Sequence, residues 1–145
     1  MAKKAVQVAR QVANRWTPRL GVSFTPVSDF FLNNYHRLEM SHTEAMVVIH
    51  LVSFKWDDNA PFPALKTIGR RMGITSTSVR SHVRRLEEKG LLAREMQVGT
   101  TNRFHLQPLF ARLEQLLALD EQREAERLAE ERERMIRLGY PPPPV

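Results

Sequence analysis

Residues 63–92 constrain the fold more than any other stretch of this 145-residue chain. Pro63 stands where a fixed φ helps a helix begin, and Leu65, Ile68 and Met72 follow at spacings of three and four, the mark of one apolar helical face. Gly73-Ile74 turns the chain, and the Thr75 hydroxyl is placed to cap a second helix. Val79, Val83 and Leu86 give that helix its own buried stripe, and Gly90 closes it. Two short amphipathic helices joined by so tight a turn pack on each other and leave their other faces to solvent. The outward face of the second carries Ser76, Thr77, Arg80, Ser81 and Arg84. Small polar residues at its N-terminal end permit close approach to a DNA major groove, and arginines one turn apart reach phosphates or guanine edges.

Charge is concentrated in the same place. Residues 66–94 hold eight Lys/Arg and two Glu, so they alone carry +6, the net charge of the whole chain. Residues 1–20 add five bases and no acid, residues 21–65 hold two bases against five acids, and residues 111–145 hold six Arg against eight Asp/Glu. A pI near 10.3 favours an anionic partner, of which nucleic acid is the commonest. Lys66 and Arg70 lie on the first helix, which crosses the DNA backbone in this kind of docking, and are expected to contact phosphate. Arg85 and Lys89 lie further round the second helix and are expected to bind phosphate or pair with Glu88. His82 is expected to pack rather than touch a ligand. The pattern Gly-Ile-Thr-x-x-Ser-Val-x-x-x-Val-x-x-Leu-Glu-Glu-Lys-Gly-Leu-Leu at 73–92 resembles the helix-turn-helix of winged-helix proteins.

The remaining segments fit around this unit. Residues 3–14 read as a basic helix ended by Pro18 and Gly21. Ser28 caps a short helix bearing Phe30, Phe31, Leu32 and Tyr35, and Ser41 with Glu44 forms a capping box. The helix that follows, over 45–54, is apolar nearly all round and is expected to be the central one. Residues 56–59 read as loop and 60–62 as a short strand. Residues 91–97 and 102–106 form two strands about Gly99, a wing whose tip residues Thr100, Thr101, Asn102 and Arg103 either reach an adjacent minor groove or merely solubilise the loop. A helix of roughly thirty residues, ~45 Å long, follows. Its first half carries Leu109, Leu113, Leu116 and Leu117, and its second half carries Glu130–Arg134 and Glu133–Arg137 pairs at i,i+4. Apolar positions thin out after Leu119, against a full coiled coil. The fold class is therefore mainly α with a small β-hairpin (α+β): a basic arm at 1–22, a winged helix-turn-helix at 23–107, a long helix at 108–138 and a flexible Pro-rich tail at 139–145.

Residues 23–117 as a whole resemble the N-terminal domain of DnaD-type primosomal proteins. The resemblance rests on Ser23-Phe24-Thr25-Pro26-Val27, on Phe31-Leu32-Asn33-Asn34-Tyr35, on the helix-turn-helix, and on Arg103-Phe104-His105-Leu106-Gln107-Pro108-Leu109. It implies self-association and DNA work in replication initiation, alongside other replication proteins. A second, C-terminal DNA-binding domain normally follows in that family. Here a charged helix and prolines follow instead, so that domain's activities are not expected. The helix-turn-helix is also more basic than the family resemblance implies, which leans toward direct duplex binding. For self-association the candidates are Trp16, an aromatic within the basic arm, and Leu109, Leu113, Leu116 and Leu117. The arm itself (Lys3, Lys4, Arg10, Arg15, Arg19) either follows phosphates or builds a dimer.

Other functions find little footing. Zero cysteines exclude disulfides and thiolate metal sites and fit a reducing compartment. No apolar run is long enough to span a membrane, and the N-terminus lacks the apolar core of a signal peptide. The five histidines show no metal-ligand spacing; His50 reads as a core residue and Asp57-Asp58 as a hydrophilic turn. No phosphate loop or nucleophile elbow is present. Neither an enzyme, nor a cofactor, nor a small-molecule substrate is expected. The leading expectation is a cytoplasmic, nucleoid-associated protein that binds double-stranded DNA as a homodimer or higher oligomer in replication initiation. A transcriptional regulator would use the same surface, and an assembly protein would turn its winged helix toward other proteins.

Overall fold

The computed structural model describes residues 15–55 and 59–141. The expected arm helix at 3–14, with Lys3, Lys4 and Arg10, lies outside them, as do Asp57, Asp58 and the last prolines. Arg15, Trp16 and Arg19 of the arm are exposed ahead of a 3₁₀ turn, Leu20–Val22, whose first N–H, that of Leu20, donates to Thr17 Oγ1 at 3.1 Å.

Helix α1 (Asp29–Asn34) begins at Ser28, whose hydroxyl accepts from Phe31 N at 3.3 Å, and runs into a 3₁₀ turn, Tyr35–Leu38. Helix α2 (His42–Ser53) begins at Ser41, whose Oγ accepts from Glu44 N at 3.1 Å. Only half of the expected capping box forms. The Glu44 carboxylate is buried and turns to Lys89, whose Nζ lies 2.7 and 3.0 Å from its two oxygens and 2.6 Å from the Glu39 carbonyl oxygen. Lys89 therefore fastens the end of one helix to the start of another, and neither a phosphate nor Glu88 is its partner.

Helices α3 (Leu65–Met72) and α4 (Ser76–Glu88) are the two predicted around Gly73. Gly73 takes a left-handed φ of 70°, open to glycine without steric cost. Thr75 Oγ1 caps α4 by accepting from Ser78 N at 3.0 Å. Gly69 has a different task. A Cβ there would stand 2.7 Å from the Ile74 carbonyl oxygen, so the bare Cα is what lets α3 close onto the turn. At the far end of α4, Gly90 is left-handed and Leu91 N donates to the Leu86 carbonyl, a helix stop that also delivers Leu91 and Leu92 to the core.

Strands β1 (Ala93–Glu95) and β2 (Arg103–His105) pair antiparallel, with Arg94 opposite Phe104. They are shorter than expected because Leu91, Leu92 and Leu106 are taken by the core. The expected strand at 60–62 is absent; one bond, Phe104 N to the Pro61 carbonyl at 2.8 Å, replaces it. Pro61 and Pro63 carry no N–H, so a ladder cannot propagate there.

Val47 and Leu51 of α2, Ile68 of α3, and Val79, Val83 and Leu86 of α4 are fully buried with Phe104, Leu106 and Leu109. Each such side chain contributes about 1.5–3 kcal/mol of burial, more than any single surface ion pair here. Helix α2 is central as expected, although Met46 leaves one side open to solvent.

Helix α5 (Gln107–Arg137) spans 31 residues with Pro108 in its first turn. Leu109 is only 1% exposed and Leu113 and Leu116 pack against the same core. The structure thus assigns Leu109 to the domain interior, which removes it from any interface; Leu117 remains on the surface. The last fastening is a two-bond clamp, Arg37 Nη1 to Asp120 Oδ2 at 2.7 Å and Nη2 to Oδ1 at 3.0 Å. From Glu121 to Pro141 every residue is exposed. The expected Glu130–Arg134 and Glu133–Arg137 pairs do not form among the described residues. Arg127 instead meets Glu124 at 2.7 Å and Glu131 at 3.2 Å, and Gln122 donates to Glu126 at 3.2 Å.

Candidate nucleic-acid interface

Because Val79, Val83 and Leu86 point inward, the opposite face of α4 is fixed outward. Thr77, Arg80 and Arg84 are exposed on it, and Ser76 and Ser81 are partly exposed. Arg85 is exposed one position round. On α3, Ile68 and Gly69 face the core, which turns Lys66 and Arg70 to solvent.

The hairpin returns beside this face and closes a groove of about 270 Å³. Lys66 and Leu65 line one wall, Ser76 and Arg80 the floor, and Thr100, Thr101 and Asn102 the wing side. Three segments separated in sequence therefore bring six of the expected residues to one concave surface, while Thr77 and Ser81 lie outside its lining. Thr101 is held in place by donating its hydroxyl to the Phe62 carbonyl at 2.6 Å. Among the described residues Lys66, Arg70, Arg80, Arg84 and Arg85 form no ion pair, so their charge is uncompensated at short range. Cations left unpaired on a rim beside a groove are what a polyanion's phosphates require.

Arg103 departs from expectation. It alternates to the other side of β2 from Phe104, lies over the Phe62 ring at 5.6 Å, and lines a separate groove with Glu95 and His105, which are themselves 2.8 Å apart. Arg70, Arg84 and Arg85 are exposed on the same two helices and do not line the groove. Arg71 sits away from it, 4.3 Å over the Phe54 ring.

One charged groove residue escaped the sequence reading. Arg94 lines the groove beside Arg80 and is pinned by an ion pair to Glu87 of α4 at 2.8 Å. Its signal was weak: a single arginine in a three-residue strand, two positions after buried Leu92, so that strand alternation puts it on the side facing α4. His82 is partly buried on α4, in keeping with packing.

The His50 imidazole is held below its ordinary pKa, first by burial and then by the Arg71 guanidinium. No helix among the described residues is long and apolar enough to cross a membrane.

Known proteins place this architecture. The fold is that of the N-terminal domain of DnaD from Geobacillus kaustophilus, at 24% identity and a TM-score of 0.58, with 81% of this chain and 96% of that one covered. AbfR of Staphylococcus epidermidis aligns at 19% identity over 94% of this chain and 96% of its own, with a TM-score of 0.40. Reduced AbfR bound to DNA aligns at 20% identity and 0.39, over 94% and 97%. No curated protein matches the sequence. Residues 27–125, from the approach to α1 through the clamp at Asp120, match the profile of the DnaD N-terminal domain, and with helix-turn-helix, hairpin and closing helix all inside that span, the chain belongs to the DnaD N-terminal domain family.

Proposed function

We propose that this chain is a non-enzymatic protein that binds double-stranded DNA through the α3–α4–hairpin groove. It works as a homodimer or higher oligomer in the initiation of replication of a chromosome, plasmid or phage, in the cytoplasm at the nucleoid. The observation that carries this reading is the convergence of Lys66, Ser76, Arg80, Thr100, Thr101 and Asn102 on one groove. Unpaired Arg70, Arg84 and Arg85 are exposed on the same two helices. Family membership supports the replication setting and partners among replication proteins.

In docking, the N-terminal half of α4 enters the major groove, where Arg80 is aimed at a base edge and Ser76, Thr77 and Ser81 allow close approach. Lys66, Arg70, Arg84 and Arg85 neutralise phosphates and set the register. Thr100, Thr101 and Asn102 follow the neighbouring backbone.

The test is selection of bound fragments from the host genome, followed by affinity for the winners against shuffled duplex across a salt series. With Lys66, Arg70, Arg84 and Arg85 on phosphate, log affinity falls with log salt with a slope of about −3.6 per copy. Enrichment at an origin fits this reading; enrichment at promoters replaces it with transcriptional regulation. Binding that is unchanged when Arg80 and Arg84 are both replaced by alanine overturns the DNA-reading groove.

A further inference from the structure

The face of α5 that the core leaves uncovered has a regular pattern. Phe110, Leu117, Leu128 and Met135 are 36%, 40%, 52% and 36% exposed. At about 100° per residue they fall within roughly 20° of a single line, a quarter turn from the Leu109–Leu113–Leu116 face that packs on the domain. Their spacings are seven, eleven and seven. These four therefore read the same from either end about a midpoint between Gln122 and Arg123, while the exposed Leu119 and Ile136 stand off the line. Its inner half borders an apolar groove of about 370 Å³ between α1, α2 and α5, walled by Val27, Phe30, Ile49 and Val52. Its outer half projects beyond the Arg37–Asp120 clamp, exposed along its length among the described residues.

We infer that the occupant of this groove is a second copy of the chain, which lays the outer half of its α5 there in antiparallel pairing about a two-fold axis at residues 122–123. This rests on the self-association in the reading above and specifies its surface. Antiparallel pairing sets Leu117 level with Leu128 of the second copy and Phe110 level with its Met135, over about 38 Å of helix. A helix with anchors on one line entering an apolar groove is a recurrent mode of recognition.

Charge chooses the direction. Glu114, the acid on the groove's rim, comes within one residue of level with Arg132 of the second copy on the same flank. In parallel pairing Glu114 and Arg132 of the two copies stand about 27 Å apart along the axis, and that contact is lost. Along that flank Ala118 comes within two residues of level with Ala125 of the second copy, and both are small enough for close approach. Near the axis Glu124 is already neutralised by Arg127 of its own helix at 2.7 Å, whereas Glu121, in no ion pair among the described residues, comes close to Glu121 of the second copy, a like-charge contact that the apolar anchors must outweigh.

The chain has no cysteine, so an introduced pair reports only on register. The chain carrying L117C and L128C together is oxidised and run without reductant beside L128C alone and beside F110C with L128C, and the unmodified chain is sedimented at micromolar concentration. Positions 117 and 128 are about 16 Å apart along one helix, beyond the ~7 Å reach of a disulfide, so a bond between them must join two chains. A dimer that is linked in L117C/L128C, and not in the other two, is the expected result. Leu128→Glu, an exposed change outside the domain, should weaken dimerisation at least tenfold. A dimer without the 117–128 link overturns the register and leaves self-association standing. L128C linking to itself overturns antiparallel pairing, and linking of F110C/L128C to the same extent overturns a fixed register. A monomeric unmodified chain overturns both the pairing and the self-association on which it rests.

Discussion

Lys89 Nζ lies 2.7 and 3.0 Å from the two carboxylate oxygens of Glu44, a residue only 2% exposed and 45 positions earlier in the chain. The pair joins the C-terminal end of α4 to the N-terminal end of α2, and Lys89 also satisfies the carbonyl of Glu39, whose backbone is left-handed at φ 60°. A carboxylate in the first turn of a helix is well placed against the helix dipole. The pair's importance is that neither charge can be removed alone.

Replacing Lys89 with methionine strands the Glu44 carboxylate in the interior. The expected loss is on the order of 3 kcal/mol, read as a fall of about 10 °C in the thermal midpoint. Duplex affinity measured well below that midpoint should stay within twofold, which separates Lys89 from the groove cations. A loss of affinity without loss of stability would return Lys89 to the DNA face.

Arg80 and Lys66 should fail differently. Arg80→Ala is expected to cost ~1–3 kcal/mol of binding and to relax preference at one base position, as a base-reading arginine does. Lys66→Ala should weaken all duplexes alike and reduce the salt slope by about 0.9. Competition titrations on a panel of single-base variants at three salt concentrations distinguish the two.

Gly69→Ala places a methyl 2.7 Å from a backbone oxygen, which cannot swing aside as a side chain would. The expected cost is about 1–3 kcal/mol, because α3 must back away from the turn. Denaturant unfolding measures it. Lys66 and Ser76 would separate as α3 moves, so affinity should fall as well, at temperatures where the variant is still folded.

His50 makes stability depend on pH. Its imidazole sits below the ordinary value, through burial first and the Arg71 charge second, so the unfolded chain takes up the proton more readily than the folded one. Stability is then undiminished above about pH 6.5 and falls as pH drops through that value. His50→Asn should shrink the loss of thermal midpoint between pH 7.5 and pH 5.5 relative to the unmodified chain. An identical loss in both would show that His50 protonates equally in the two states.

Much of the fold was legible in the sequence because its signals are local. Ser28, Ser41 and Thr75 each cap a helix three residues away, Gly73 needs only its own φ, and Val79, Val83 and Leu86 declare a face by spacing alone. The groove's main residues followed from the same stripe, since whatever is not buried on α4 must face out. What escaped depends on distant partners. Nothing near Lys89 names Glu44, and nothing near Arg94 says that Glu87 will hold it. Arg103 was misplaced because strand alternation decides its side only once the register Arg94–Phe104 is known. Leu109 looked available for an interface because an apolar stripe does not reveal whether its own domain will cover it.

The Arg94–Glu87 pair and the Thr101–Phe62 bond have an entropic meaning. They tie the hairpin to α4 and to the segment before α3, so wing and helix present one rigid surface before any ligand arrives. A ligand entering the groove then orders few side chains and no loop, and keeps the free energy that closing a floppy wing would have consumed. Cutting the Arg94 tether should therefore appear as slower capture and an unfavourable entropy of binding, with the contacts of the final complex intact.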